Sequence, residues 1–136
     1  MKKIKELSVF SAGKPNDTFA EYFKGQSYLN MISTEQVVIG NVTFEPGCRN
    51  NWHIHHSDIG GGQILLVTGG KGFYQEWGQE AKVLKPGDVV HIPAGIKHWH
   101  GASADSWFQH LAVEVPGENC RNEWCEPVTD DEYEKL

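Results

Sequence analysis

Glycine and proline divide this chain into short segments, and this division constrains its fold more than any other feature of the sequence. The 136 residues include 15 glycines and six prolines, and the segments between them are rich in β-branched and aromatic residues. Such segments, separated by turn residues, are typical of strands in a β-sandwich or a β-barrel. The sequence therefore predicts an all-β fold.

The clearest strand lies in residues 35–45, where the character of the side chains alternates. Alternate residues of a strand face the same side of a sheet, so one set of side chains here shares a face. A Glu-Pro-Gly turn at 45–47 ends the strand. The set on one face consists of Val38, Gly40, Val42 and Phe44.

A chain of this length is expected to form one domain with a core large enough to need no disulfides. We divide it into an N-terminal segment (1–34) that covers the barrel or a partner subunit, a barrel (35–116) and a C-terminal tail (117–136). Asp17 is predicted to cap a short helical turn in the first part. Thr129, which precedes acidic residues, is predicted to cap a short helix in the tail.

Charge and hydropathy exclude several classes of function. The net charge of −6 argues against nucleic-acid binding, because phosphates require clustered Lys and Arg. No apolar run is long enough to cross a bilayer. The basic start of the chain lacks the apolar stretch of a signal peptide. We therefore expect a cytoplasmic protein whose partner is a small molecule rather than a nucleic acid or a membrane.

The sequence contains three cysteines, which cannot all pair within one chain. In a cytoplasmic protein we expect three reduced thiols. Cys120 and Cys125 leave a second interpretation open, a disulfide or a metal clip near the C-terminus, although they do not form a Cys-x-x-Cys pair.

All seven histidines lie between positions 53 and 110. His53 and His55 are two residues apart, so in a strand their imidazoles point to one side and can bind a single ion. His98 follows a Pro-x-Gly turn that would bring it toward the same place, and Gln63 offers an oxygen. Three nitrogens and one oxygen form a suitable site for a transition metal.

Each predicted ligand also has a structural interpretation. Two histidines inside an apolar sheet would be costly to bury without partners, and metal coordination removes that cost; hydrogen-bonded core histidines are the alternative. Gln63 could instead satisfy backbone groups. As a ligand, its neutral carbonyl oxygen would leave the ion its full charge and make it a stronger Lewis acid than a carboxylate would.

Two further histidines are candidates for acid–base chemistry. His100 lies two residues beyond His98 and faces the same interior, where it could support the ligands, contact the substrate or carry a proton. His110 lies in the last strand; if its side faces inward it can act as general base, and otherwise it is structural. For the remaining pair we expect no chemical role: His56 and His91.

Two regions of the sequence, residues 47–70 and 87–98, together resemble the two motifs of the cupin superfamily. The first cupin motif contains a glycine, a His-x-His pair, an acidic ligand and a second glycine, and the second contains a glycine, Pro-x-Gly and a histidine. The resemblance covers about residues 35–115, with Gln63 in place of the usual acid and a longer gap before it. The matching residues are Gly47, His53, His55, Gln63 and Gly70, then Gly87, Pro93, Gly95 and His98.

A narrower resemblance is to small single-domain cupins related to bacterial manganese-dependent hydroxynitrile lyases, some of whose relatives are linked to carboxymuconolactone decarboxylase-like proteins. In that group the fourth ligand is also a glutamine, and a histidine of the last core strand performs acid–base chemistry. Gln63 and His110 match those places. The stretches that carry this resemblance are Val42–Gly47, Trp52–His55, Gly87–Val90 and Lys97–Gly101.

The resemblance implies a double-stranded β-helix, or jelly-roll barrel, with a short C-terminal helix. It also implies a homodimer with one divalent transition metal in each subunit. Manganese is the first choice, although His and Gln donors accept iron, nickel or zinc as well. The predicted ligands are His53, His55, Gln63 and His98.

The leading functional hypothesis is a lyase that acts on a small hydroxy or carbonyl compound, as in cyanohydrin cleavage. The metal would polarise the substrate oxygen, and His110, assisted by His100, would move the proton. Gly40 and Val42 are predicted to line the substrate pocket, where their small size leaves room. Two alternatives remain open: an Fe(II) cupin dioxygenase, and a non-catalytic module that binds or senses a small molecule.

Overall fold

A computed structural model describes residues 6–136. In this range the chain forms two main β-sheets, a 3-10 turn (Ala20–Tyr22) and one short helix, α1 (Asp130–Glu134), which confirms the predicted all-β fold. In chain order the strands are β1 (Lys14–Pro15), β2 (Phe23–Lys24), β3 (Ser27–Ser33), β4 (Ile39–Phe44), β5 (Arg49–Asn50), β6 (His53–His56), β7 (Ile59–Gly60), β8 (Gln63–Gly70), β9 (Gly72–Glu76), β10 (Lys82–Leu84), β11 (Val89–Ile92), β12 (His98–Ala102), β13 (Phe108–Glu114), β14 (Gly117–Glu118) and β15 (Arg121–Trp124).

Most of the strands form two antiparallel sheets in a jelly-roll-like arrangement, and β7 and β14 pair with each other in a separate two-stranded sheet. The first sheet has the strand order β1-β3-β4-β13-β8-β11. The second has the order β10-β9-β12-β5-β2, and β6 and β15 extend it beside β12. Neighbours such as β4 and β13 are far apart in sequence, so the chain passes repeatedly between the two sheets.

Alternation along the strands places apolar side chains between the sheets. The rings of Phe44 and Phe108 are fully buried, with centroids 5.6 Å apart. Burial of a side chain of this size contributes roughly 1.5–3 kcal/mol. Phe44 also packs against His110 and His100, at centroid distances of 5.4 and 6.0 Å. The apolar core therefore supports the part of the barrel that carries the histidines.

The N-terminal part of the chain joins both sheets, since β3 pairs with β4 and β2 pairs with β5.

The prediction that the Asp17 side chain caps a helical turn is wrong. The residue that precedes the 3-10 turn is Phe19, and Asp17 only accepts a bond from the Ala20 N–H through its backbone carbonyl. A side-chain cap requires the residue directly before the turn, and Asp17 lies two positions too early.

The C-terminal tail ends in the predicted helix. Thr129 caps α1: its hydroxyl accepts a bond from the Glu132 N–H, and the Glu132 carboxylate accepts one from the Thr129 N–H. This capping box satisfies two of the free donors at the helix start. The Tyr133 hydroxyl donates to the Ala102 carbonyl, which docks the helix against β12.

Among residues 6–136 we find no helix with the length and hydrophobicity of a transmembrane segment.

Cys48, Cys120 and Cys125 all carry free thiols. Cys48 is fully buried in the apolar core, and burial raises the pKa of its thiol to about 12, so the thiol stays protonated at neutral pH.

Candidate metal centre

Three of the predicted ligands converge in the second sheet. His53 and His55 project from the same side of β6, and His98 at the start of β12 lies directly opposite His53 in the strand register. The three side chains are buried, and their ligand nitrogens all lie within 4.8 Å of one another. This spacing suits three imidazoles that share one ion.

Backbone carbonyls orient two of these rings. Nδ1 of His53 lies 2.8 Å from the Asn51 carbonyl, and Nδ1 of His98 lies 2.8 Å from the Ile96 carbonyl. A carbonyl oxygen can only accept, so both Nδ1 atoms carry the proton and both Nε2 atoms have a free lone pair. Nε2 of His98 is buried with no hydrogen-bond partner among the described residues.

A side chain from the C-terminal tail orients the third ring. Nδ1 of His55 lies 2.8 Å from Oδ1 of Asn122, which is carried by β15 beside β6. Nε2 of His55 is also buried without a partner in the described chain. Asn122 therefore has the same effect on His55 that a backbone carbonyl has on the other two rings, since a partner on one nitrogen sets which nitrogen can bind metal.

Gln63, the predicted fourth ligand, begins β8 in the first sheet and is buried. Its Nε2 donates to Oε1 of Glu114 at 2.6 Å. Its Oε1 is buried and has no hydrogen-bond partner among residues 6–136. Of the four predicted donors, three thus present a buried, unpartnered atom: His55, His98 and Gln63.

The electrostatics of two of these imidazoles, His53 and His98, also fit a ligand role. Burial, and then the neighbouring imidazoles of His98 and His55, hold the pKa of His53 well below its usual value. Burial lowers the pKa of His98 to about 4. Neutral imidazoles bind metal and protonated ones do not. Neutral side chains whose lone pairs have no hydrogen-bond partner are suitable ligands for a divalent transition metal. Imidazole ligands suit manganese, iron, nickel or zinc.

A second histidine pair lies deeper in the barrel. Nε2 of His110 is 3.0 Å from Nδ1 of His100, and both residues are buried. The side-chain amide nitrogen of Asn50 lies 3.3 Å from Nε2 of His100, and Oδ1 of Asn50 accepts a hydrogen bond from the backbone N–H of His100 at 2.9 Å. Burial lowers the pKa of His110 to about 4, and burial together with the neighbouring His110 lowers that of His100.

One cavity of about 270 Å³ borders both groups of histidines. Gly40 and Val42 lie in its wall, and their role in a substrate pocket stays a prediction. Among residues 6–136, the wall contains no Lys or Arg, and Glu114 is its only carboxylate. The apolar side chains of the wall are Phe19, Phe23, Leu29, Met31, Val38, Val42, Ala112 and Trp124.

The remaining two histidines lie away from this cavity. His56 points to the other side of β6 and contacts Glu123 at 2.7 Å, and His91 is exposed on β11. Sequence reasoning missed Glu114 and Asn122. Glu114 has the same parity in β13 as His110, and this signal could have revealed it. Nothing in the pattern around Asn122 indicated that the tail returns to β6.

The chain is similar to known proteins in sequence and in fold. The family described as "Cupin domain" matches residues 40–113. The chain is 36% identical over 134 residues to "(R)-mandelonitrile lyase" of Granulicella tundricola. This alignment covers 98% of this chain and 99% of that protein. A cupin-like protein from Thermotoga maritima superposes with a TM-score of 0.81 at 38% identity, over 94% of this chain and 96% of that one. The DMSP lyase DddQ from Ruegeria pomeroyi is similar in fold alone, with 18% identity, a TM-score of 0.61 and coverage of 85% and 57%.

Proposed function

This chain belongs to the cupin domain family, as its motifs predicted, and we propose that it is a metal-dependent lyase that cleaves a small, uncharged hydroxy compound such as a cyanohydrin. One observation carries the proposal: a single cavity borders three of the four predicted metal donors and a buried, hydrogen-bonded pair of histidines, His100 and His110. The similarity to a mandelonitrile lyase along the whole chain supports this class of reaction.

The donors that we assign to the metal are Nε2 of His53, His55 and His98 and Oε1 of Gln63. A divalent ion held by them would act as a Lewis acid on the substrate oxygen. Manganese remains our first choice, with iron, nickel and zinc as alternatives for the same donors. The four direct ligands are neutral and do not cancel the charge of the ion, which favours binding of an oxygen that carries or develops negative charge.

We assign the transfer of the substrate proton to the buried pair His100 and His110. His110 is neutral at neutral pH, because its pKa is lowered to about 4, and a neutral imidazole can accept a proton from a substrate hydroxyl. Negative charge that develops in the cavity would raise that pKa during the reaction. The contact with Nδ1 of His100 lets the second ring share or relay the proton.

The cavity wall limits the substrate. Apolar side chains on β3, β4 and β13 favour an apolar, aromatic or aliphatic group beside the reacting oxygen. Among residues 6–136 the wall has no Lys or Arg and includes the Glu114 carboxylate. A carboxylate substrate would therefore find no cationic side chain beside the metal and would lie near a like charge. This argues for cyanohydrin-type chemistry over decarboxylation of an anionic substrate.

We also propose a cytoplasmic homodimer. Free thiols at all three cysteines fit a reducing compartment. Met31 and Val38, on and beside the paired strands β3 and β4, remain 45% and 39% exposed near the cavity, and a second subunit could cover them. Light scattering on the purified protein should give twice the mass of one chain, and a monomeric mass would contradict the homodimer.

The experiment that tests the proposed function combines metal analysis with turnover. Protein purified without chelators should carry about one divalent metal per chain, and removal of the metal should abolish cleavage of mandelonitrile above the protein-free rate. Addition of Mn(II) should restore cleavage. Equal cleavage by the metal-free protein would contradict the proposal. Oxygen uptake by the iron-loaded protein, with no cyanohydrin cleavage, would favour the dioxygenase instead.

A further inference from the structure

Glu114 and Gln63 face each other across two strands of the first sheet. Glu114 ends β13, Gln63 begins β8, and the two residues are direct partners in the strand register. We propose that Glu114 is a positioning residue that sets which atom of Gln63 faces the metal. This inference rests on the metal site of the proposed function, but it does not depend on which reaction the protein catalyses.

The argument begins with the two ends of the amide. An ionised carboxylate can accept hydrogen bonds but cannot donate them. Nε2 of Gln63 donates to Oε1 of Glu114 at 2.6 Å, so the amide oxygen must point the other way. If the amide turned over, its oxygen would face the carboxylate, and two acceptors without a proton between them repel each other. Glu114 therefore selects the orientation in which Gln63 presents oxygen.

The oxygen selected in this way is ready to bind a metal. Oε1 of Gln63 is buried and has no hydrogen-bond partner in the described chain. A buried carbonyl oxygen without a partner costs free energy in the folded protein, and coordination removes that cost. Glu114 thus holds a costly arrangement that is useful only when a cation is present.

The backbone on both sides of this pair is held in place. The N–H of Glu114 donates to the Val38 carbonyl, and the N–H of Val115 donates to the Gly62 carbonyl. Gly62 has a φ of +89°, and a Cβ there would lie 2.3 Å from the carbonyl oxygen of Ile92. Only glycine fits at that position, so Gln63 enters β8 at a defined place opposite Glu114.

The location of the negative charge also matters. Within the part of the chain that the structure describes, Glu114 is the only carboxylate of the cavity wall. In this arrangement the anion lies one hydrogen bond away from the donor set and not in it, so it partly balances a bound cation through the polarised amide. The ligands themselves remain neutral, which preserves the Lewis acidity on which the proposed chemistry depends.

Glu114→Gln tests this inference, with Co(II) as the metal and binding as the readout. The new amide can donate as well as accept, so it no longer selects one orientation of Gln63. We expect the dissociation constant for Co(II) to rise by about 10- to 100-fold and the visible absorption of the bound ion to change. Glu118→Gln, which removes a carboxylate from the exposed strand β14, is the matched control and should leave both properties unchanged.

An exchange of the two residues makes the test stricter. In the double variant Gln63→Glu/Glu114→Gln, an amide at 114 can donate to a carboxylate at 63, and the second carboxylate oxygen can bind the ion. We expect this variant to recover Co(II) affinity that Glu114→Gln loses. If Glu114→Gln does not fold, the exchanged variant alone carries the test, because it should fold and bind.

The outcomes separate this inference from the proposed function. Equal Co(II) affinity and equal spectra in Glu114→Gln and Glu118→Gln would overturn the positioning role, and so would failure of the exchanged variant to recover binding. Neither measurement involves turnover, so a protein that binds Co(II) as expected and cleaves no cyanohydrin would contradict only the proposed function. Absence of Co(II) binding by the unmodified protein would overturn both.

Discussion

Nε2 of His110 lies 3.0 Å from Nδ1 of His100, and this contact joins β13 of the first sheet to β12 of the second inside the cavity wall. Both rings are buried, and Phe44 packs against each of them. Two neutral imidazoles that share one hydrogen bond can hold or relay a single proton next to the predicted metal donors. This arrangement underlies the first two predictions.

His110→Ala should reduce turnover of a cyanohydrin by at least about 100-fold, since general acid–base groups typically contribute that much or more. The metal content of the variant should stay at that of the unmodified protein, because His110 is not among the predicted ligands. His91→Ala, at an exposed position on β11, is the control. Unchanged turnover in His110→Ala would rule out its role as base.

Acid should destabilise the metal-free protein partly through His110. Burial lowers the pKa of His110 to about 4 from an ordinary value of 6.5, so between these values the unfolded chain binds a proton that the folded chain does not. The free energy of unfolding should therefore fall as the pH decreases from about 6.5 to 4, by about 3 kcal/mol for this residue alone. Below about pH 4 this residue should cause no further loss.

Denaturant unfolding of the unmodified protein and of His110→Asn checks this effect, with metal removed from both. The stability of the variant should depend less on pH over the same interval. Equal pH dependence in the two proteins would show that His110 titrates normally in the folded state.

Asn122→Leu should weaken metal binding by about 10- to 100-fold, because Oδ1 of Asn122 accepts the proton of His55 Nδ1 and so keeps Nε2 available. Asn122→Asp retains an acceptor at the same place and serves as the matched control. Isothermal titration with Mn(II) measures both. Wild-type affinity in Asn122→Leu would mean that β6 orients His55 without help from the tail.

Gly40→Ala should discriminate between substrates by size. A methyl group at this position would lie 3.2 Å from Cδ1 of Leu29 and 3.4 Å from Sδ of Met31, which leaves no slack in this part of the cavity wall. We expect KM for an aromatic cyanohydrin to rise by roughly tenfold and KM for a small aliphatic one to change little. An equal change of KM for both substrates would mean that the aromatic group of the substrate binds in another part of the cavity.

Much of the fold follows from the sequence because strand periodicity is local. The spacing of His53 and His55 places both imidazoles on one side of β6, and the Pro-x-Gly turn before His98 brings that ring opposite them. The inward set of β4, which includes Gly40 and Val42, also follows from alternation. In each case two or three neighbouring residues carry the information.

The parts that sequence could not predict depend on contacts between distant segments. Asn122 reaches His55 only because β15 pairs with β6, and 67 positions separate the two residues. Glu114 meets Gln63 through the register of β13 on β8, which no local pattern specifies. Asp17 was misassigned because a preferred capping residue does not fix where a three-residue turn begins.

The convergence of four donors on one ion is most directly tested by anomalous diffraction at the manganese edge, from a crystal grown with Mn(II). We predict one anomalous peak per chain, bonded to Nε2 of His53, His55 and His98 and to Oε1 of Gln63. A crystal with ample Mn(II) but no peak among these residues, or with a peak bound by other side chains, would contradict the account.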